Sequence, residues 1–359
     1  MRILQISSAR HFGGGERHFV DLTNGLSQRG HQIFVATPPR SPILPELPPN
    51  IRENSFKLSA SNVANLGKAL GLRRFVREHD IQIVHAHMAK DYPLAALAAG
   101  GATNPRLVLT RHVLFPMSNL HHLTRRRVAR VIAVSQSVAA SIRTQGIFQD
   151  DQIAVVPNGI DLARFQAFSR RDPARKLRVA LLGELTPNKG QIEFVRAAQT
   201  VAAEIDNVEF VIAGCDNSDG GAYGRELKQL IGRAGLGDRI EVVESRIEVA
   251  EFLSRTDLLV SASRSEAFGL VIVEAMAAGV PVVATATDGA REIISNGETG
   301  ILVAIDDVGE LAAAIWRLLK NPEERRRIAD NARQMVLERF SLDRMISQTE
   351  AVYRDVLQG

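Results

Sequence analysis

The chain has 359 residues, 45% of them hydrophobic and 23% charged, a globular composition that excludes disordered and fibrous classes and supplies two ordinary lobes. Its single cysteine, Cys215, excludes an internal disulfide and a Cys-rich zinc site. The formal charge of +4 hides an asymmetry: residues 1–165 carry 20 Lys and Arg against 10 Asp and Glu, and the remainder carries 24 against 30.

The N-terminus runs directly into Ile3-Leu4-Gln5-Ile6, a strand-like opening with no leader-type apolar core, so a cytoplasmic location is expected. No apolar run reaches membrane-spanning length. Buried strands are expected at Ile3–Ile6, Gln32–Ala36, Ile83–Ala86, Leu107–Leu109, Val131–Val134 and Ile153–Val156. Amphipathic helices at Glu16–Gln28, Leu66–Glu78 and Ser137–Thr144 fall between them. The residues from Leu162 to Leu177, charged and containing Pro173, read as a linker.

The alternation then restarts, with strands at Arg178–Gly183, Val208–Ala213, Ile240–Val243, Leu258–Ala262 and Val280–Ala284 and a helix at Gln191–Ala203. A last helix is expected over Leu342–Leu357, with Ser341 as a candidate cap. Strand–helix alternation of this kind predicts α/β lobes with parallel sheets, and ligands in such lobes bind at the carboxyl ends of the strands.

The richest segment runs from Ser263 to Ala284. Glu266 stands just ahead of a helix opening near Phe268–Gly269, and Glu274 lies about two turns into it, roughly 10–12 Å away at the helical rise. A helix start offers unpaired N–H groups to anionic or hydroxylic ligands. Two carboxylates at that separation can each accept bonds from vicinal hydroxyls at opposite ends of one ligand. Taken singly, each reads more plainly as a helix-start acid and a solvated helix residue. Glu274, however, sits among Val271, Ile272, Val273, Ala275 and Met276, where a carboxylate needs a partner.

The stretch from Glu266 to Glu274 resembles the Glu-x7-Glu signature of glycosyltransferase family 4, retaining enzymes of the GT-B fold. Similar motifs occur at Gly13-Gly14-Gly15-Glu16, at Val156-Pro157-Asn158-Gly159-Ile160-Asp161 and at Gly183-Glu184-Leu185-Thr186-Pro187-Asn188-Lys189-Gly190. The resemblance covers nearly the whole chain. It implies two Rossmann-like, doubly wound domains facing across a cleft: an acceptor domain over residues 1–165, with residues 341–359 packing back on it, and a donor domain over 166–340.

It also implies roles. Glu266 would hold donor-sugar hydroxyls, aided by the backbone of Phe268, Gly269, Leu270 and Val271, and Glu274 would hold the ribose diol. Gly14 and Gly15 would approach the diphosphate, Lys189 would neutralise it as it leaves, and His112 would lie beside the sugar. Glu184 occupies the position where the family carries an arginine of the phosphate clamp, and Arg17 and Arg264 are candidates to compensate. A triple glycine alone reads equally as a flexible turn, and a lone histidine more often as a packing residue. His85 and His87, ending a strand, read as half-buried structural residues.

The implied reaction transfers a hexosyl residue, with retention, from a nucleoside diphosphate sugar, UDP- or GDP-linked, to an acceptor hydroxyl in envelope glycan, lipopolysaccharide or glycolipid synthesis. No metal ligand is assigned, because no Asp-x-Asp is present, and no cofactor beyond the sugar nucleotide. A nucleotide-sugar epimerase or phosphorylase, or a sugar-nucleotide-binding protein of weak activity, remains the alternative. The acceptor stays open, a lipid-linked one included.

The segment from Val113 to Leu120, followed by His121-His122, Arg125-Arg126-Arg127 and Arg130, joins apolar and cationic residues. Peripheral contact with anionic membrane, on the inner face of the cytoplasmic membrane, and an ordinary solvated loop account for it about equally. A nucleic-acid partner is not expected, since aromatic residues make up only 5% and are not interleaved with the basic ones.

Overall fold

The structure is a computed structural model and describes residues 1–59, 67–100, 105–118, 121–165 and 176–359. The chain divides into two compact units, one formed by Met1–Gly159 with Leu342–Gly359, the other by Ile160–Ser341. Most of the expected linker, including Pro173, lies outside the described residues.

The first unit is built on a seven-stranded parallel sheet. Its strands are β1 (Arg2–Ile6), β2 (Gln32–Thr37), β3 (Ser55–Lys57), β4 (Ile83–Ala86), β5 (Arg106–Arg111), β6 (Val128–Ala133) and β7 (Ile153–Val155), in the spatial order β3-β2-β1-β4-β5-β6-β7. Central strands such as β4 are buried along their whole length, as expected where helices cover both faces of a parallel sheet. The core joins Ile3, Phe19, Leu22, Val35 and Ile83 to Tyr353 of the last helix, Leu342–Gln358. That helix lies on the helix Gly14–Gln28. A Cβ on Gly25 would stand 2.0 Å from Ile346 Cδ1, so a side chain there would force Ile346 to repack.

The second unit repeats the plan with six parallel strands: β8 (Leu177–Leu182), β9 (Val208–Ala213), β10 (Ile240–Val243), β11 (Leu258–Ser261), β12 (Val282–Thr285) and β13 (Ile301–Val303). Their order is β10-β9-β8-β11-β12-β13. Its core includes Val179, Phe194, Phe210, Leu227, Leu258 and Ile315. Two edge strands, β3 and β13, were not among the expected elements, and both are only three residues long.

In each sheet the chain order reverses once. The reversal falls between β1 and β4 in the first unit and between β8 and β11 in the second. Loops leaving the carboxyl ends of two such strands diverge to opposite faces and leave a crevice, which is where ligands settle in open α/β sheets. No described helix is long and apolar enough to cross a membrane.

Candidate active site

At the reversal point of the second sheet, the loop after β8 meets the loop after β11. The first ends in a single tight turn, Pro187–Lys189, with Gly190 in the left-handed region at φ 69°. The second runs from Ala262 to Gly269 and enters the helix Leu270–Ala277. Asn188 stitches them together. Its Nδ2 donates to the Ser265 carbonyl at 3.0 Å, and its own carbonyl accepts from the Arg264 amide at 2.8 Å.

These contacts bring two distant side chains into an ion pair: Lys189 Nζ donates to Glu266 Oε2 at 2.6 Å. Both side chains are largely but not wholly buried, 26% and 17% exposed, so the pair is shielded yet reachable.

Glu266 is also fixed through its backbone. Its carbonyl accepts from the Gly289 amide at 3.0 Å. A Cβ on Gly289 would lie 2.7 Å from the carbonyls of both Glu266 and Phe268, so the helix Asp288–Ile293 presses on this loop with no side chain between. Phe268 anchors the loop from the other direction. It is 5% exposed and meets Phe340 edge-on at 5.6 Å between ring centroids. Gly269, at φ 99°, turns the chain into the helix with no side-chain cap, so the amides of Leu270 and Val271 open the helix without an intrahelical partner. Glu274 lies on the buried side of that helix at 7% exposure, and it does have a partner there.

Glu184 is exposed. Its Oε1 accepts from Asn217 Nδ2 at 2.8 Å, and its carbonyl accepts from Gln191 Nε2 at 2.9 Å. Neither compensating arginine stands idle. Arg264 binds Glu193 at 2.7 Å, Asp306 at 2.8 Å and the Pro187 carbonyl at 2.8 Å. Arg17 pairs with Asp21 and Glu46 and lies over the Phe12 ring. Arg264 thus braces the two loops from behind.

In the first unit, Gly14 and Gly15 are the opening residues of the helix Gly14–Gln28, and the Gly13 amide donates to Glu16 Oε2 at 2.9 Å. The glycine run is therefore a helix start. Beneath it lies His112, just beyond β5, close enough that a Cβ on Gly15 would be 3.7 Å from His112 Cγ.

His112 is not a lone histidine. Its ring centroid is 4.8 Å from that of His18 and 5.8 Å from that of His87, and His85 packs against His87 at 4.1 Å. His85 and His87 are fully buried, at 0% and 5% exposure, where the strand-end alternation suggested half-burial. Burial lowers the basicity of all four: His18 falls to about 4, and His85, His87 and His112 fall well below the ordinary imidazole value. His18 escaped sequence reading because it occupies the inner face of a helix, where a histidine reads as core, and its neighbours come from β4 and β5. Close by, Asp91 ties the β1 and β4 loops together, accepting from the Ser8 amide at 2.8 Å.

The family model for Glycosyltransferase Family 4 matches residues 12–164, and that for Glycosyl transferases group 1 matches residues 164–335. A lipopolysaccharide core biosynthesis mannosyltransferase LpsB of Rhizobium meliloti is 30% identical over 65% of this chain and 67% of its own. The chain belongs to glycosyltransferase family 4. Another relative of this glycosyltransferase, N-acetyl-alpha-D-glucosaminyl L-malate synthase of Bacillus anthracis, is 28% identical over 96% of this chain and 95% of its own. Among solved structures, Anabaena Alr3699/HepE in complex with UDP-glucose is 24% identical and superposes with a TM-score of 0.84. The match covers 98% of this chain and 99% of that one, a likeness of GT-B fold.

Of the positions expected at the donor, Lys189 and Glu266 meet in the second unit, whereas Gly14 and Gly15 lie in the first, beside His112.

Proposed function

We propose that this glycosyltransferase moves a hexosyl residue, with retention of configuration, from a UDP- or GDP-linked sugar to an acceptor hydroxyl. The observation that carries the reading is the Lys189–Glu266 pair at the reversal of the second sheet. A carboxylate and an ammonium in contact match the one place in a sugar nucleotide where a neutral polyol joins a charged diphosphate. Glu266 accepts from the sugar hydroxyls, and Lys189 stabilises the charge that grows on the departing diphosphate. The amides of Leu270 and Val271 serve the same ligand, and Glu274 takes the ribose diol. The helix start at Gly14 and Gly15, with its unpaired amides, is a second seat for phosphate.

The diphosphate is held by these groups without a metal clamp. A same-face mechanism follows, in which the leaving phosphate assists the incoming hydroxyl and no side chain becomes a covalent nucleophile. His112, neutral at pH 7, positions the sugar rather than supplying charge.

The second unit takes the donor and the first, basic unit takes the acceptor. Supporting a lipid-linked or envelope acceptor are the exposed side chains of Phe115 (73%) and Leu123 (79%), in a segment that also carries the exposed Arg126 and Arg127. Together they suit an anionic membrane surface. Asn119 and Leu120 of that segment lie outside the described residues. The mannosyltransferase LpsB and the N-acetyl-alpha-D-glucosaminyl L-malate synthase support glycosyl transfer as the chemistry and leave the acceptor open.

The test is a thermal-shift panel of UDP and GDP sugars, followed by acceptor-free hydrolysis with the tightest binder. Stabilisation by one sugar nucleotide is expected, with slow release of its sugar that needs no added Mg²⁺ or Mn²⁺. Binding of no sugar nucleotide, or conversion of the donor to an epimer, would overturn the reading.

A further inference from the structure

We infer that His18, His87 and His112 form a binding site for one divalent transition-metal ion of the zinc type. Each offers one ring nitrogen, and the three nitrogens lie within 4.8 Å of one another. Two ligands on one zinc ion are at most about 4 Å apart, given metal–nitrogen bonds of about 2 Å, so small side-chain rotations close the set.

The nitrogens are unspent. Both of His18, Nδ1 of His87 and Nε2 of His112 are buried without a well-aligned hydrogen-bond partner. Asn158 is close enough to His18 to favour its protonated ring, yet is not aligned to bond with it. Buried polar atoms left open in this way are costly, and three converging on one point are more than a packed core requires.

The tautomer of His87 is set by its neighbour. Its Nε2 lies 2.7 Å from Gln5 Oε1, an atom that only accepts, so the ring carries its proton there and keeps the lone pair of the unpartnered Nδ1 for a ligand. Gln5 Nε2 in turn donates to Tyr353 Oη at 3.3 Å, and Tyr353 Oη lies 2.6 Å from His85 Nδ1. A ligating imidazole whose other nitrogen is held by a second polar group is the usual support of a metal site.

Burial keeps the three rings neutral, the form that ligates. With no carboxylate in the set, Mg²⁺ and Ca²⁺ lack the oxygen ligands they require, whereas three imidazoles suit zinc, cobalt or nickel with a fourth position open. His112 is only partly buried and gives the ion a route in. The inference does not rest on the proposed transfer reaction, and its test needs no sugar nucleotide.

The test uses full-length, untagged protein stripped with chelator and titrated with Co²⁺, read by visible absorption and by metal analysis after dialysis. One equivalent with ligand-field bands is expected, displaced by Zn²⁺, with Zn²⁺ also raising the melting temperature. His18→Asn and His87→Asn should each abolish the bands, and His122→Asn, at an exposed position, should keep them. Gln5→Ala leaves all three ligands in place and should weaken binding by roughly 10–100-fold, which guards against a ligand variant that fails to fold. No metal retained by the parent, or bands that persist in both His18→Asn and His87→Asn, would overturn the inference.

Discussion

Acid should unfold the first unit well before it harms an ordinary α/β domain. The perturbation is a shift from about pH 7 to about pH 5 in the presence of chelator. In the folded chain burial depresses the His18 imidazole to about 4, whereas the unfolded residue titrates near its ordinary 6.5. A folded histidine that binds protons more weakly than the unfolded one stabilises the fold fully at pH values above 6.5. That stability drains away as pH falls towards 4, because the unfolded chain takes up the proton first. Between about pH 7 and pH 5, His18 alone costs about 2 kcal/mol. His85, His87 and His112 are shifted in the same direction by burial, with Arg111 adding to the effect on His112, so this figure is a floor. Against a typical domain stability of about 5–15 kcal/mol, that is a large share. Urea unfolding at the two pH values reads it directly, and His18→Asn should recover about 2 kcal/mol of the difference. Equal stability at both pH values, or the same loss in parent and variant, would refute the reasoning.

Three further outcomes follow from the packing around the sites. Gly289→Ala should push a methyl into the Glu266 and Phe268 carbonyls, costing about 1–3 kcal/mol in thermal unfolding and weakening donor binding in calorimetry. Lys189→Ala should lower single-turnover transfer by roughly 10²–10³-fold, with a loss in melting temperature from the unpaired, largely buried Glu266 that is too small to account for it. The double change Phe115→Ser with Leu123→Ser should reduce co-sedimentation with anionic vesicles by roughly tenfold or more, leaving neutral vesicles as the unbound control.

The architecture could be read from the residues because parallel strands covered on both faces are spelled as unbroken apolar runs. Val208–Ala213 and Ile240–Val243 match the observed strands to the residue, and the last helix differs by one residue at its end. β3 and β13 escaped because three-residue edge strands leave no periodic trace. At the second sheet's reversal, Glu266 and Lys189 were visible as separate residues of separate motifs. Their contact was not, since it depends on Asn188 bridging two loops far apart in the chain. Gly289 left no signal, because the pressure on its Cα comes from backbone atoms that only the fold assembles. The histidine cluster was legible only as His85 and His87 on one strand and His112 after another. The fourth ring, His18, arrives from a helix whose register against the sheet no local pattern encodes.

In the proposed reaction one sugar nucleotide is gripped by Glu266 at its sugar and by Glu274 at its ribose. The most direct measurement compares Glu266→Gln and Glu274→Gln with the parent, taking nucleotide affinity by calorimetry and sugar release in single turnover on the same samples. Glu266→Gln should bind the free nucleoside diphosphate normally and release almost no sugar, whereas Glu274→Gln should mainly lose nucleotide affinity. Parent-like affinity and turnover in both variants would contradict it.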